Sequence, residues 1–273
     1  MFLFRTRQMS EVFALLDEVK KGGEFVLRDD QYGFNDILDA VKTARGRGTR
    51  FDLLDTGRFN LLELELLCGA GAHFYSSDDA RADVSELLAI RKACAKGGSS
   101  AAYLARGPFE RDDQPDRSSY SILLALAEEG FILHASNREY ARDVLRLSEL
   151  AEKARKGGGF LVYYYHGGAD PGLIELASRG AKIHLSDKLL QEGDIELLTA
   201  VLKASRGRKP KLVLYIEKGM PYLFLKKIFS AGGTLLFKTP PIDRGSPMGE
   251  LERKALRRSL RPGTYYLQAT FLL

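Results

Sequence analysis

Short apolar runs recur along the chain, and six of them follow a segment typical of a helix end. These segments combine Lys or Arg with glycine, at 18–23, 43–48, 93–98, 153–158, 203–209 and 256–263. Basic side chains in a last helical turn offset the negative end of the helix dipole, and a glycine supplies the left-handed cap. The runs that follow are rich in β-branched and aromatic residues and predict strands at 24–30, 51–57, 101–107, 160–167, 211–219 and 264–273.

A second unit alternates with the first, in which a shorter apolar helix ends in glycine before its strand. These strands are predicted at 72–78, 131–137, 181–187 and 234–240, and the run at 1–6 resembles them. The two units together repeat about every 50 residues and predict eleven strands. Strands that alternate with helices need crossover connections and therefore pair in parallel. The predicted fold class is α/β, with tandem β-α repeats that form a parallel sheet in a single domain over residues 1–273.

Two arrangements of these repeats are open. In a solenoid or extended sheet, which we favour, each unit packs only on its neighbours. The alternative is a (βα)8-type barrel with extra terminal strands, since eleven strands exceed the eight of such a barrel. The aromatic and leucine-rich ends at 1–6 and 264–273 are unprotected strand edges. We therefore expect them to pair, either with each other or across a homo-oligomer.

Aspartates precede β-branched residues where the long helices are predicted to begin. The four positions are Asp36, Asp83, Asp143 and Asp194. An aspartate at this place accepts hydrogen bonds from unpaired main-chain N–H groups and suits the positive end of the helix dipole. The sequence predicts that all four are helix caps.

Cysteine and histidine are too sparse to indicate a metal site or a disulfide framework. Cys68 and Cys94 form no CxxC pair, so we interpret both as buried apolar residues in a reducing cytoplasm. His134 and His184 occupy the same repeat position on strands about 9.5 Å apart, a gap too wide for shared zinc ligation. They are expected to form a structural ladder. No nucleotide-binding or hydrolase motif occurs, so no cofactor is expected, and no apolar run predicts a transmembrane segment.

Polar residues follow the predicted strands, at the sheet edge where parallel α/β proteins bind ligands. The set comprises Arg28, Asp29, Asp30, Asp55, Ser77, Asp78, Arg106, Ser136, Asn137, His166, Ser186, Asp187, Glu217, Lys218 and Lys238. Candidate catalytic residues are Asp55, His166, Glu217 and Lys218, with Arg106 and Lys218 as contacts for an anion. The same residues also fit an ordinary polar rim. In the run YYYHGG, Tyr163 and Tyr165 share one strand face and are candidates for stacking on a ligand.

The charge distribution is uneven, although the formal net charge of the chain is only +5. Residues 203–261 hold 15 Lys and Arg against four acids. A basic end of this kind predicts contact with an acidic protein or a nucleic acid. In the helix predicted there, Arg253, Arg257 and Arg258 are the expected contact residues.

Three functional hypotheses follow. The first is a cytoplasmic α/β repeat protein that acts as a binding or scaffold module through its basic C-terminal third. The second is a β/α-barrel enzyme that acts on a small phosphorylated or carboxylate substrate at the strand ends. The third is a structural protein that assembles through its terminal strands.

Overall fold

The computed structural model describes residues 14–22, 24–109, 119–205, 212–237 and 245–259. The chain forms two compact units, Met1–Arg106 and Gly107–Leu273. Helices and strands alternate through both units, so the α/β repeat fold predicted from the sequence is confirmed. The prediction of a single domain stays a prediction.

The first unit contains a short helix and three strand–helix pairs before its last strand. Its elements are α1 (residues 14–20), β1 (Glu24–Arg28), α2 (Phe34–Arg47), β2 (Arg50–Leu54), α3 (Leu61–Ala70), β3 (His73–Ser77), α4 (Val84–Gly97) and β4 (Ala101–Ala105). The strands pair in parallel in the order β1-β2-β3-β4. Helix α2 packs on α3 and α3 packs on α4, so these helices form a layer.

The second unit repeats the pattern with five strands. Its elements are α5 (Ser119–Glu128), β5 (Ile132–Ser136), α6 (Val144–Lys156), β6 (Phe160–Tyr165), α7 (Gly172–Arg179), β7 (Lys182–Ser186), α8 (Ile195–Ala204), β8 (Leu212–Ile216), α9 (Tyr222–Ser230), β9 (Thr234–Phe237) and α10 (Pro247–Ser259). The strands pair in parallel in the order β5-β6-β7-β8-β9. Strand order follows chain order in each unit, as both the solenoid and the barrel require, and both arrangements stay predictions.

All nine predicted strands that fall within the described residues are present. The two terminal strands predicted at 1–6 and 264–273 lie outside those residues, as does the pairing expected of them. None of the helices that the structure describes has the length and apolar character to cross a lipid bilayer.

The expected helix caps are confirmed at two positions and wrong at two. Asp83 accepts hydrogen bonds from the first-turn N–H groups of α4, and Asp143 caps α6. Asp36 lies inside α2, because that helix begins one turn earlier with Gly33 as its cap. Asp194 belongs to a short 3-10 helix, Glu192–Asp194, and its carboxylate turns back to accept the N–H of Gln191 at 2.8 Å. Asp194 stands at the N-cap position of α8, but its side chain makes no hydrogen bond to the first-turn N–H groups of that helix.

A recurring hydrogen bond joins the ends of neighbouring strands in pairs. The residue directly after β1, β3, β5 and β7 is an Asp or Asn whose side chain accepts a main-chain N–H beyond the next strand. We call these contacts the strand-end clamps: Asp29 with Thr56 (3.1 Å), Asp78 with Arg106 (3.0 Å), Asn137 with His166 (2.7 Å) and Asp187 with Glu217 (2.8 Å). The clamps recur once in each double unit of the sequence.

Asp187 forms the most extensive clamp. Its carboxylate is fully buried and accepts three consecutive main-chain N–H groups, from Glu217 (2.8 Å), Lys218 (2.8 Å) and Gly219 (2.9 Å). Hydrogen bonds to a charged acceptor are stronger than neutral ones, and removal of the acceptor leaves the donors without partners.

We predict that Asp187→Ala lowers the free energy of unfolding by roughly 3 kcal/mol, because the variant leaves three partly buried N–H groups without their charged acceptor. Glu192→Ala in the following connection is the matched control, since Glu192 is exposed, and its effect should stay within about 0.5 kcal/mol. Urea denaturation at neutral pH measures both. Equal stability of the wild type and Asp187→Ala would contradict the role assigned to the clamp.

Candidate functional site

The clamps divide the strand-end residues into two groups. Asp29, Asp78, Asn137 and Asp187 follow odd-numbered strands and bind main chain. Four of the sequence candidates for chemistry follow even-numbered strands, namely Asp55, Arg106, His166 and Glu217. The clamps on β3, β5 and β7 bind the main-chain N–H of the last three. Each clamp thus positions the backbone from which a candidate side chain extends.

In the first unit, Asp55 is held by three groups. Its carboxylate accepts hydrogen bonds from the Ser76 hydroxyl at 2.7 Å, the Arg81 guanidinium at 3.2 Å and the Gly57 N–H at 3.0 Å. The Asp55 side chain is wholly buried in this ion pair with Arg81. Burial and three donors give Asp55 the surroundings of a structural carboxylate.

Arg106 is exposed at the end of β4 and forms an ion pair with Asp79 at 3.0 Å. Tyr163 and Tyr165 on β6 differ in exposure. Tyr163 is buried and its pKa is raised by desolvation, whereas Tyr165 is partly exposed. Their ring centroids lie 6.0 Å apart, which confirms that they share one face.

In α10, Arg253 is exposed, and the side chains of Arg257 and Arg258 lie outside the described residues, as does Lys238.

The carboxyl ends of β7 and β8 bring together four polar side chains that we call the β7–β8 site: Ser186, Lys188, Glu217 and Lys218. The Ser186 hydroxyl donates to the Glu217 carboxylate at 3.0 Å, and the Lys188 ammonium lies 2.9 Å from the other carboxylate oxygen. The Glu217 side chain is only 13% exposed. Lys218 is exposed beside it, on main chain that Asp187 holds.

Below this site, aromatic rings and histidines alternate across the buried face of the sheet. This His–Tyr row comprises His134 on β5, Tyr164 on β6, His184 on β7 and Tyr215 on β8. The Tyr164 hydroxyl lies 3.0 Å from Nδ1 of His134, and the Tyr215 hydroxyl lies 3.1 Å from Nδ1 of His184. The centroids of Tyr164 and His184 are 4.9 Å apart. The predicted histidine ladder is therefore confirmed, with tyrosines as the linking groups.

Both histidines of the row are buried, and burial lowers the pKa of each to about 3. The nearby charge of Lys182 lowers both pKa values further. The rings are therefore neutral at physiological pH. No group of three or more His, Cys, Asp or Glu side chains in the described part of the chain is arranged to hold a metal ion.

Sequence reasoning identified Glu217, Lys218, His134 and His184 but missed the roles of Lys188 and Tyr215. Lys188 lies beyond the strand, in the short 3-10 helix Asp187–Leu189, and nothing local in the sequence fixes its direction. Tyr215 could have been found, because Val213 and Tyr215 are two residues apart and so share one face of β8, the face whose partners on β7 are His184 and Ser186.

Comparison with models of protein families and with curated proteins gives no match. Solved structures give weak similarities. One is the 3-dehydroquinate dehydratase from Aquifex aeolicus VF5, at 12% identity over 86% of this chain and 98% of that chain, with a TM-score of 0.37. Another is the tetrameric deoxyribose phosphate aldolase from Aeropyrum pernix, at 14% identity, 91% and 97% coverage, and a TM-score of 0.33.

A third is the YdjI aldolase from Escherichia coli K12, at 14% identity, 90% and 97% coverage, and a TM-score of 0.33. Scores this low do not establish a common fold. The argument for function therefore rests on the side chains of this chain alone.

The neutral histidines predict a loss of stability in mild acid. The unfolded chain takes up protons near the ordinary histidine pKa of 6.5, whereas the folded His–Tyr row does not until about pH 3. Stability is therefore complete above pH 7 and falls as the pH decreases. Between pH 7 and pH 5, each histidine should lower the free energy of unfolding by about 2 kcal/mol. Asp52 acts in the opposite direction over this interval, because burial raises its pKa to about 6.

His184→Gln isolates this effect, since glutamine is neutral and can still hydrogen-bond to Tyr215. We expect the difference in unfolding free energy between pH 7 and pH 5 to shrink by about 2 kcal/mol in this variant. Urea denaturation at the two pH values measures it. An unchanged pH dependence would mean that His184 is not buried as a neutral ring.

Proposed function

We propose that the protein is an enzyme that acts on a small anionic substrate, a phosphorylated or carboxylate compound, at the β7–β8 site. The observation that carries this proposal is the Glu217 carboxylate, mostly buried at the carboxyl ends of two adjacent parallel strands and bonded to Ser186 and Lys188. Ligand sites of parallel α/β folds lie at this edge of the sheet.

Glu217 is the general base of the proposed site. A carboxylate that accepts from a hydroxyl and a lysine can receive a proton from a bound substrate once one of those donors turns to the substrate. The Lys188 ammonium lies 2.9 Å from the Glu217 carboxylate and places an opposite charge beside it. Lys218 is the contact for the anionic group of the substrate, because it is exposed next to Glu217.

Asp187 acts as a positioning residue for both groups. Its three hydrogen bonds fix the main chain of Glu217, Lys218 and Gly219, so that the base and the anion contact extend from rigid backbone. Preorganised groups of this kind need little reordering when a substrate binds. His184 lies two residues before Ser186, and Tyr215 lies two residues before Glu217. Their neutral polar rings therefore occupy the side of the sheet that carries the β7–β8 site.

The hypothesis of a binding or scaffold module rests on the basic residues at 203–261, of which Lys218 also belongs to the β7–β8 site. Of its three named arginines, the structure describes the side chain of Arg253 alone, and that side chain is exposed. A cytoplasmic location and a homo-oligomer stay predictions in either case. The two functions are separable because the β7–β8 site assigns anion binding to Lys218 and the binding module assigns it to Arg253.

Anion binding is tested by isothermal titration calorimetry with inorganic phosphate. We expect Lys218→Met to weaken phosphate binding at least tenfold, because it removes a charged hydrogen-bond donor. Arg253→Met should leave binding unchanged. Loss of phosphate binding in Arg253→Met with full binding in Lys218→Met would support the basic surface and contradict the β7–β8 site.

Catalysis is tested with a mixture of sugar phosphates and hydroxy acids, whose consumption is followed by phosphorus and proton NMR. We expect the wild type to convert at least one compound and Glu217→Gln to lower kcat/KM about 100-fold or more. Glu196→Gln is the control, since Glu196 lies on α8, is exposed and forms an ion pair with Lys227 of α9. Equal turnover by Glu217→Gln and the control would exclude Glu217 as the base.

A further inference from the structure

The only two cysteines of the chain face each other where helices α3 and α4 cross. Cys68 lies near the end of α3 and Cys94 near the end of α4, and both are fully buried. The helices approach so closely that a Cβ atom on Gly97 would lie 2.1 Å from the Cys68 carbonyl oxygen. Cys94 is three residues before Gly97, on the same face of α4, so its side chain points toward Cys68.

The two thiols are neighbours at the end of α3. Each of them shifts the pKa of the other. The Cys94 Sγ also lies 4.0 Å from the carbonyl oxygen of Ala72, the residue after the α3 cap.

The surroundings make the two thiols unequal. The neighbouring Cys68 thiol lowers the pKa of Cys94, and Ser99 and the charge of Arg91 lower it further. Arg91 is one turn before Cys94 on α4, and its Nε is buried with no hydrogen-bond partner among the described residues. The same contact and burial raise the pKa of Cys68. Because the thiolate is the nucleophile, Cys94 is the attacking residue.

We propose that Cys68 and Cys94 form a reversible intramolecular disulfide by exchange with a small disulfide such as oxidised glutathione. The Cys94 thiolate attacks one glutathione sulfur, forms a mixed disulfide and releases the first glutathione as a thiol. The Cys68 thiolate then attacks the Cys94 sulfur and releases the second glutathione. The two thiol protons leave with the two glutathione molecules, and the protein loses two electrons. This inference is independent of the proposed function at the β7–β8 site.

The bond would link α3 to α4 and close a loop that runs from residue 68 to residue 94. A cross-link of this length restricts the unfolded chain, and we expect the midpoint of thermal unfolding to rise by about 5–10 °C. Because both thiols are buried, the reaction requires local opening of the helix pair and should be slow in the folded protein.

The experiment equilibrates the full chain in glutathione buffers of graded redox ratio, then traps free thiols with iodoacetamide. Intact mass spectrometry should show wild-type monomer that has lost two hydrogen atoms, and proteolysis should yield one cross-linked pair of peptides. Dithiothreitol should restore the reduced mass. Cys68→Ala and Cys94→Ala are matched controls, because each retains one thiol and should carry at most one glutathione.

Three results would overturn the proposal. The first is a wild type whose thiols both stay reduced in every buffer. The second is a wild type that carries two glutathiones or forms dimers in place of the internal bond. The third is a disulfide that forms only in urea and lowers the midpoint of thermal unfolding, since such a bond would be incompatible with the native helix crossing.

Discussion

The hydrogen bond between the side chain after one strand and the main chain after the next is the constraint on which the rest of the structure depends. A parallel sheet leaves main-chain N–H groups unpaired where the strands end, and those groups need partners once they are buried. In this protein Asp29, Asp78, Asn137 and Asp187 supply them. The four clamps recur with the double unit of the sequence and give odd and even strands different tasks.

This division of tasks determines where chemistry is available. The carboxylates after odd-numbered strands are committed to main chain, and Asp55 is committed to Arg81 and Ser76. At β8 the Glu217 side chain lies outside the clamp, since Asp187 accepts the main-chain N–H of Glu217, and the Glu217 carboxylate contacts Ser186 and Lys188. A base and an exposed lysine then extend from backbone that is already held in place.

The fold was largely predictable from the sequence, and the site only in part. Glycine after basic residues marked helix ends correctly, as at Gly48 and Gly98, because a left-handed cap depends on local conformation alone. The clamps were not predicted, since Ser-Asp and Ser-Asn after a strand also fit a solvated rim. Their partners lie 28 to 32 residues away for Asp78 and Asp187, and only the strand register brings the groups together. The Asp194 side chain does not cap α8, because it accepts the N–H of Gln191 in a 3-10 helix that the sequence pattern did not predict.

Amide hydrogen exchange, resolved by residue with NMR, tests the clamps most directly. The N–H groups of Arg106, His166, Glu217, Lys218 and Gly219 all lie beyond the last residue of a strand, where an unpaired amide exchanges freely with water. The account predicts that these five amides are protected about as well as amides inside the strands. Exchange at the rate of an unstructured chain would contradict the clamps and the rigid backbone assigned to Glu217 and Lys218.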